Sequence, residues 1–266
     1  MATKRKVNLI FGCMDFGRKM SIEESHSTLS YLLSDKVNIK SLDTAISYAD
    51  GKSELFIGQY PACNDPEQTV ITTKANPGDG KKLTPASINK QLTTSLTSLK
   101  RPYVDLFYLH MPDPLTPIEE SLSEVHKLYK AGLIKEFGLS NYKSWEVVDV
   151  YHICKSNGWI LPAAYQGMYN PVTRSVEAEL FPALRKFGIR FDAYNPLAGG
   201  ILTGKHKFSD KEEGKMLEGR FSGNSWASAY QKRYWNESMF TTIDLVQKAL
   251  DKSYILISSE YLRELA

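Results

Sequence analysis

Cysteine is scarce in this chain of 266 residues: there are three, Cys13, Cys63 and Cys154. Their number is odd and their spacings fit no metal-ligand pattern. That excludes a disulfide framework and a thiolate metal centre, and it points to a reducing compartment. An excess of charge of one sign is also lacking. Lys and Arg number 33 against 30 Asp and Glu, a net charge of +3, too small to mark a nucleic-acid or membrane surface but compatible with a local anion site. No apolar run approaches the ~20 residues of a membrane-spanning helix. The apolar run 7–11 behind the basic start is too short for the core of a signal peptide. No low-complexity segment or linker divides the chain. These absences lead us to expect a cytoplasmic protein with no nucleic-acid or membrane partner and no metal, folded as a single domain over residues 1–266. A composition of 42% hydrophobic and 24% charged residues is that of a globular protein.

What is present is alternation. Strand-like runs fall at 7–11, 39–44, 68–74, 103–110, 136–140, 163–166, 190–194 and 254–258. Helical patterns lie between them. Residues 21–34 open with Ser21 three residues before Glu24, the spacing of a capping box. Residues 84–100 open with Thr84-Pro85 and carry Leu92, Leu96 and Leu99 on one face. The patterns at 117–131, 144–157 and 176–187 each stop at a glycine, Gly132, Gly158 and Gly188, and a last helix is expected at 240–252. Eight strands alternating with helices predict an α/β protein with a parallel sheet, a (β/α)8 TIM barrel. Residues 199–236 break the alternation, and a long loop inside a compact domain is usually functional.

The ends of three consecutive strands carry the chemistry. Asp43 and Tyr48 follow the second run, Lys74 closes the third, and His110 closes the fourth. In a parallel barrel all such ends face one pole, which holds the active site. A phenol is a poor acid near neutrality, but a neighbouring ammonium favours its ionised form. A carboxylate beside the ammonium keeps it charged, and an imidazole can orient a carbonyl oxygen. Tyr48, Lys74, Asp43 and His110 fit those roles. Each residue read alone has a plainer reading, as packing, rim charge or core histidine; their placement at one pole is what weakens those readings. The Gly-rich turn at Gly199-Gly200 can approach a phosphate closely, although plain loop geometry accounts for it equally. Gly199 through Gly204-Lys205 also begins a P-loop pattern, but His206 stands where Ser or Thr is needed.

Longer motifs carry a resemblance. Leu42-Asp43-Thr44-Ala45 with Ser47-Tyr48 and Gly51-Lys52-Ser53-Glu54, Asp105 through His110, and Phe137-Gly138-Leu139-Ser140-Asn141-Tyr142 resemble the aldo-keto reductases. Tyr165 through Asn170, Tyr194 through Lys205, Gly219-Arg220-Phe221, Asn224-Ser225-Trp226 and Tyr230-Gln231-Lys232-Arg233 are similar to the aflatoxin-aldehyde reductase branch, family 7. The resemblance implies a (β/α)8 barrel that uses NADPH to reduce a small-molecule aldehyde, ketone or dicarbonyl, and a homodimer. It makes Tyr48 the proton donor, with Asp43 and Lys74 lowering its pKa, Asp43 also contacting the cofactor, and His110 orienting the substrate. It assigns Ser140, Asn141 and Gln166 to the nicotinamide carboxamide and Tyr194 to the nicotinamide ring. The backbone of Asn195, Pro196, Leu197, Gly199, Gly200, Leu202, Gly204 and Lys205, with Arg220, would hold the pyrophosphate and ribose. Ser258 and Ser259, after the eighth strand, match the 2′-phosphate positions loosely. Tyr230, Arg233 and Met14 fall on the substrate side.

By the same pattern, the helix before the last strand and a closing tail are missing. A natural short form, a truncation and omitted residues account for this equally. A real deletion predicts lower stability or a partner covering the gap. Two other readings of the chain are a cofactor-binding regulatory module with little catalysis and, ranked lower, a Schiff-base aldolase using Lys74.

Overall fold

The structure, a computed structural model, describes residues 7–252 except 79, 81, 216–218, 224 and 225. Among the described residues seven strands form one sheet in sequence order, β1 (Phe11–Gly12), β2 (Ser41–Asp43), β3 (Val70–Ala75), β4 (Val104–Leu109), β5 (Ile134–Ser140), β6 (Pro162–Met168) and β7 (Arg190–Tyr194). The pairings from β1 to β6 are all parallel. Helices α1 (Ile22–Leu33), α2 (Lys52–Gly58), α3 (Pro61–Asn64), α4 (Pro85–Leu99), α5 (Ile118–Lys130), α6 (Ser144–Ser156) and α7 (Leu180–Phe187) connect them, and α8 (Ala227–Tyr234) and α9 (Glu237–Lys252) follow β7. Parallel strands in chain order with intervening helices are the (β/α)8 barrel fold. The expected eighth strand, 254–258, lies outside the described residues.

Local chemistry explains most boundaries. The Ser21 hydroxyl accepts from the Glu24 amide at 3.2 Å, and the Glu24 carboxylate accepts from the Ser21 amide at 2.7 Å, which starts α1. Thr84 caps α4, and Pro85 occupies its first position without losing a needed donor. Two expectations need correction. The first strand is two residues long rather than 7–11; only Phe11 and Gly12 find partners, on Leu42 and Asp43, while Val7, Leu9 and Ile10 are exposed. The helix expected at 176–187 begins only at Leu180, after a separate 3-10 turn at Ser175–Glu177. Pro182 forces that start: its ring would clash with the carbonyl four residues back, so it is tolerated only in a first turn.

Among the described residues the chain forms two compact units, residues 7–166 with 179–192 and residues 167–178 with 193–252. The first unit holds most of the sheet. Its central strands, β3 to β6, are largely buried, as parallel strands are: Leu106, Tyr108 and Ala164 cluster together, and Ile71, Phe107, Leu109, Phe137 and Leu139 are fully buried. The second unit has its own core of Ala198, Ile201, Phe221, Tyr234 and Trp235. The 199–236 stretch, expected to be a long loop, is instead organised around an aromatic cluster and contains α8.

Candidate active site

In the first unit, β2, β3 and β4 deliver Asp43, Lys74 and His110 from their carboxyl ends, and Tyr48 follows in a 3-10 turn. That turn is unusual. Ala49 and Asp50 adopt left-handed conformations with φ of 51° and 54°, and Gly51 follows at 86°. Such conformations cost ~1–3 kcal/mol each in non-glycine residues and cluster at functional sites.

Lys74 is wholly buried and donates from Nζ to Asp43 Oδ1 at 2.6 Å and to the Thr44 carbonyl at 2.7 Å. The same Nζ lies 5.0 Å from the centre of the Tyr48 ring. Burial opposes the lysine's charge, but the Asp43 carboxylate and the Tyr48 phenol outweigh it and hold the ammonium above its ordinary range. The Tyr48 and His110 rings meet edge to face, with centroids 5.8 Å apart at 76°. Burial, helped by the Lys74 charge, pushes His110 down to about 3. The imidazole is therefore neutral near neutrality, and its Nδ1 is buried with no hydrogen-bond partner among the described residues.

Three expected carboxamide residues join this cluster. Gln166 Nε2 donates to Asp43 Oδ2 at 2.8 Å. Asn141, left-handed at φ 63°, donates from Nδ2 to the His110 carbonyl at 2.9 Å and to Ser140 Oγ at 3.1 Å. Ser140 and Gln166 are register partners on β5 and β6. Met14 lies half-buried in the turn after β1.

Several polar contacts here have no counterpart among the strand-end residues singled out in the sequence. Ser53 Oγ donates to the Cys13 carbonyl at 2.8 Å and lies 2.7 Å from Thr44 Oγ1, while Thr73 donates to Glu54 Oε1 at 2.5 Å. The start of α2 thus braces the strand ends that carry Asp43 and Lys74. Burial pushes Glu54 up against its hydrogen bonds to Thr73 and Ser95 and against Lys74. Tyr108 donates to Asp192 at 2.6 Å, and burial raises both groups. The alternation of Leu106 and Tyr108 along β4, continued by His110 just past its end, was the available hint to Tyr108.

The second unit gathers the expected phosphate-binding segment. Gly199, Gly200 and Gly204 have φ of 74°, 107° and 70°, and a Cβ at Gly200 or Gly204 would meet nothing within 4 Å. The Asn195 side chain accepts from the Gly199 amide at 2.7 Å and donates to the Tyr234 hydroxyl at 3.0 Å. The Arg220 amide donates to the Gly199 carbonyl at 3.2 Å, which brings Gly219-Arg220 onto the turn. Tyr230 packs where a side chain on Gly199 would stand, 2.6 Å from the built Cβ. Pro196 and Leu197 form the turn into this segment, Leu202 donates its amide to the Leu197 carbonyl, and Lys205 donates its amide to Thr203 Oγ1 at 3.4 Å. Tyr194 accepts a backbone hydrogen bond from Tyr169. Arg233 rests on the Met168 sulfur at 3.3 Å. Ser258 and Ser259 lie outside the described residues.

Among the described residues no group of three His, Cys, Asp or Glu side chains is arranged to hold a metal, and no helix is long and apolar enough to cross a membrane. Residues 8–262 match the aldo/keto reductase family. The chain is 53% identical over 247 residues to the rat protein named aflatoxin B1 aldehyde reductase member 2, covering 92% of this chain and 66% of that one. It is 51% identical over 255 residues to the human protein of the same name, with 94% and 69% covered, and 50% identical over 248 residues to human aldo-keto reductase family 7 member A3, with 92% and 74% covered. The chain thus spans about two thirds of the length of these relatives. On the match and the shared residues together, the chain belongs to the aldo/keto reductase family.

Proposed function

We propose that this chain reduces aldehydes and dicarbonyls to alcohols with NADPH, and that Tyr48 supplies the proton. The observation that carries the reading is the buried Lys74 ammonium, paired with Asp43 and set against the Tyr48 ring beside a neutral His110. The relatives' names point to aldehydes as the substrate class.

The residues present fit a nicotinamide dinucleotide. The glycines at 200 and 204 leave the backbone of a turn open to a phosphate, with Lys205 and Arg220 adjoining it. Ser140, Asn141 and Gln166 supply amide and hydroxyl groups at the strand ends next to the proton-transfer cluster. They would hold the carboxamide, Tyr194 the ring, and Asn195 through Lys205 with Arg220 the pyrophosphate and ribose. A reduced nicotinamide, when bound, supplies hydride to the carbonyl carbon.

The chain's own residues do the rest. His110, uncharged, hydrogen-bonds the carbonyl oxygen and turns it toward Tyr48. The Tyr48 hydroxyl proton moves to that oxygen, leaving a phenolate. Lys74 stabilises the phenolate by its charge, and Asp43 holds Lys74 in place; water returns the proton to Tyr48. Positioned proton transfer of this kind contributes ~10²–10⁴-fold. Met14, Tyr230 and Arg233 are proposed to touch the substrate, and Arg233 favours an acidic one. Ser258 and Ser259 are proposed to favour NADPH over NADH. We further propose that residues 1–266 act as one reductase domain, as a homodimer in the cytoplasm, where the buried free thiols Cys13, Cys63 and Cys154 would stay reduced.

The test is a turnover assay with a simple aromatic aldehyde and either NADPH or NADH. Alcohol forming in step with NADPH oxidation is the expected result. Tight NADPH binding with no alcohol formed would reject the reading.

A further inference from the structure

We infer that Gln166 is a positioning residue of the proton-transfer site, holding the Asp43 carboxylate by the oxygen that Lys74 does not use. Asp43 Oδ1 takes the Lys74 ammonium at 2.6 Å, and Oδ2 takes the Gln166 amide at 2.8 Å. All three side chains are buried, Lys74 completely and the other two to 8% exposure. A carboxylate only accepts hydrogen bonds, so the Gln166 amide must turn its nitrogen to Asp43 and its carbonyl away. The link is long: the two residues are 123 positions apart, and β6 pairs with neither β1, β2 nor β3. The two strands are not hydrogen-bonded neighbours, so this side-chain contact joins them directly across the sheet.

Two consequences follow from the geometry. Held at one oxygen only, the carboxylate could swing with the lysine; held at both, it fixes where the ammonium stands. An amide donor on Oδ2 also takes up part of the negative charge, which leaves more of the ammonium's field for the Tyr48 phenol. Gln166 therefore serves Tyr48 through Asp43 and Lys74, in addition to the carboxamide contact proposed for it. This inference rests on Tyr48 being the proton donor.

The phenol can be followed without cofactor. The ultraviolet signal of Tyr48 ionisation is the difference between each protein and its Tyr48→Phe counterpart, recorded across pH for the parent, Gln166→Met and Gln166→Glu. The near-isosteric Glu variant keeps the comparison open should the Met variant pack badly. The other titratable groups coupled to the cluster, Cys13, Glu54, Lys74, Tyr108, His110 and Asp192, are the same in all three proteins. The expected result is a rise in the Tyr48 midpoint by ~1 pH unit in Gln166→Met and by more in Gln166→Glu, where a second carboxylate faces Asp43. At saturating NADPH, kcat should fall ~10-fold in step. A midpoint that stays put or falls in both variants, with only NADPH affinity altered, would overturn the inference and leave Gln166 a carboxamide contact. The proton-donor reading fails separately, by undiminished turnover in Tyr48→Phe, while the titration still reports on Gln166.

Discussion

Lys74 Nζ stands 2.6 Å from Asp43 Oδ1, with the ammonium wholly buried and the carboxylate nearly so. Removing one member of such a pair leaves an uncompensated buried charge, which costs ~3–5 kcal/mol, whereas replacing both can be nearly neutral. Asp43→Ala is therefore expected to destabilise the cofactor-free protein by about that amount in denaturant unfolding. Adding Lys74→Met to it should restore part of the loss. A double variant less stable than Asp43→Ala alone would contradict the stranded lysine charge as the source of that loss.

His110 carries a pH signature. Its imidazole sits at about 3 in the folded chain against an ordinary 6.5. Between those values the unfolded chain binds a proton that the folded chain does not. Stability is thus fully present above the unfolded pKa and is lost as pH falls from there toward 3, by up to ~1.4 kcal/mol per pH unit. His110→Gln should remove this component. Unfolding free energies of parent and variant measured across mildly acidic pH should diverge with that slope, and parallel curves would count against a neutral His110.

Gly219 tests the phosphate segment without touching the proton-transfer cluster. Its φ is 72°, and a Cβ there would lie 2.5 Å from the Gly199 carbonyl oxygen. Backbone cannot yield as a flexible side chain can, so Gly219→Ala should strain the turn by ~1–3 kcal/mol. We expect NADPH to bind ~10-fold or more weakly, as read by fluorescence titration. Unchanged affinity would remove the Gly199–Arg220 contact from the proposed cofactor site.

Elements with strong local chemistry were legible in the sequence. The Ser21–Glu24 box, the Thr84-Pro85 start and the stops at Gly132, Gly158 and Gly188 all sit at observed boundaries. The polar ends of β2, β3 and β4 were legible because a parallel barrel delivers strand ends to one pole. What failed had no local signature. α2 hides its buried face in Ser53, Glu54, Ile57 and Gly58, only one of which is a large apolar residue. Gly58 is needed there for close approach, since a Cβ would lie 2.0 Å from the Ser98 carbonyl of α4. α8 buries only Tyr234 of its eight residues. The Tyr108–Asp192 and Gln166–Asp43 contacts join residues 84 and 123 positions apart, and only the folded chain reveals such pairs. Gly138 belongs with them: a Cβ there would stand 2.4 Å from the Tyr108 ring, so its small size makes room for a residue thirty positions earlier.

Aldehyde turnover of Tyr48→Phe at saturating NADPH tests the proton donor most directly. The substitution removes one hydroxyl and leaves the ring against Lys74 and His110. Cofactor affinity should stay close to the parent and aldehyde turnover should fall by ~10²-fold or more. Turnover near the parent value, with the cofactor bound, would contradict Tyr48 as the proton donor.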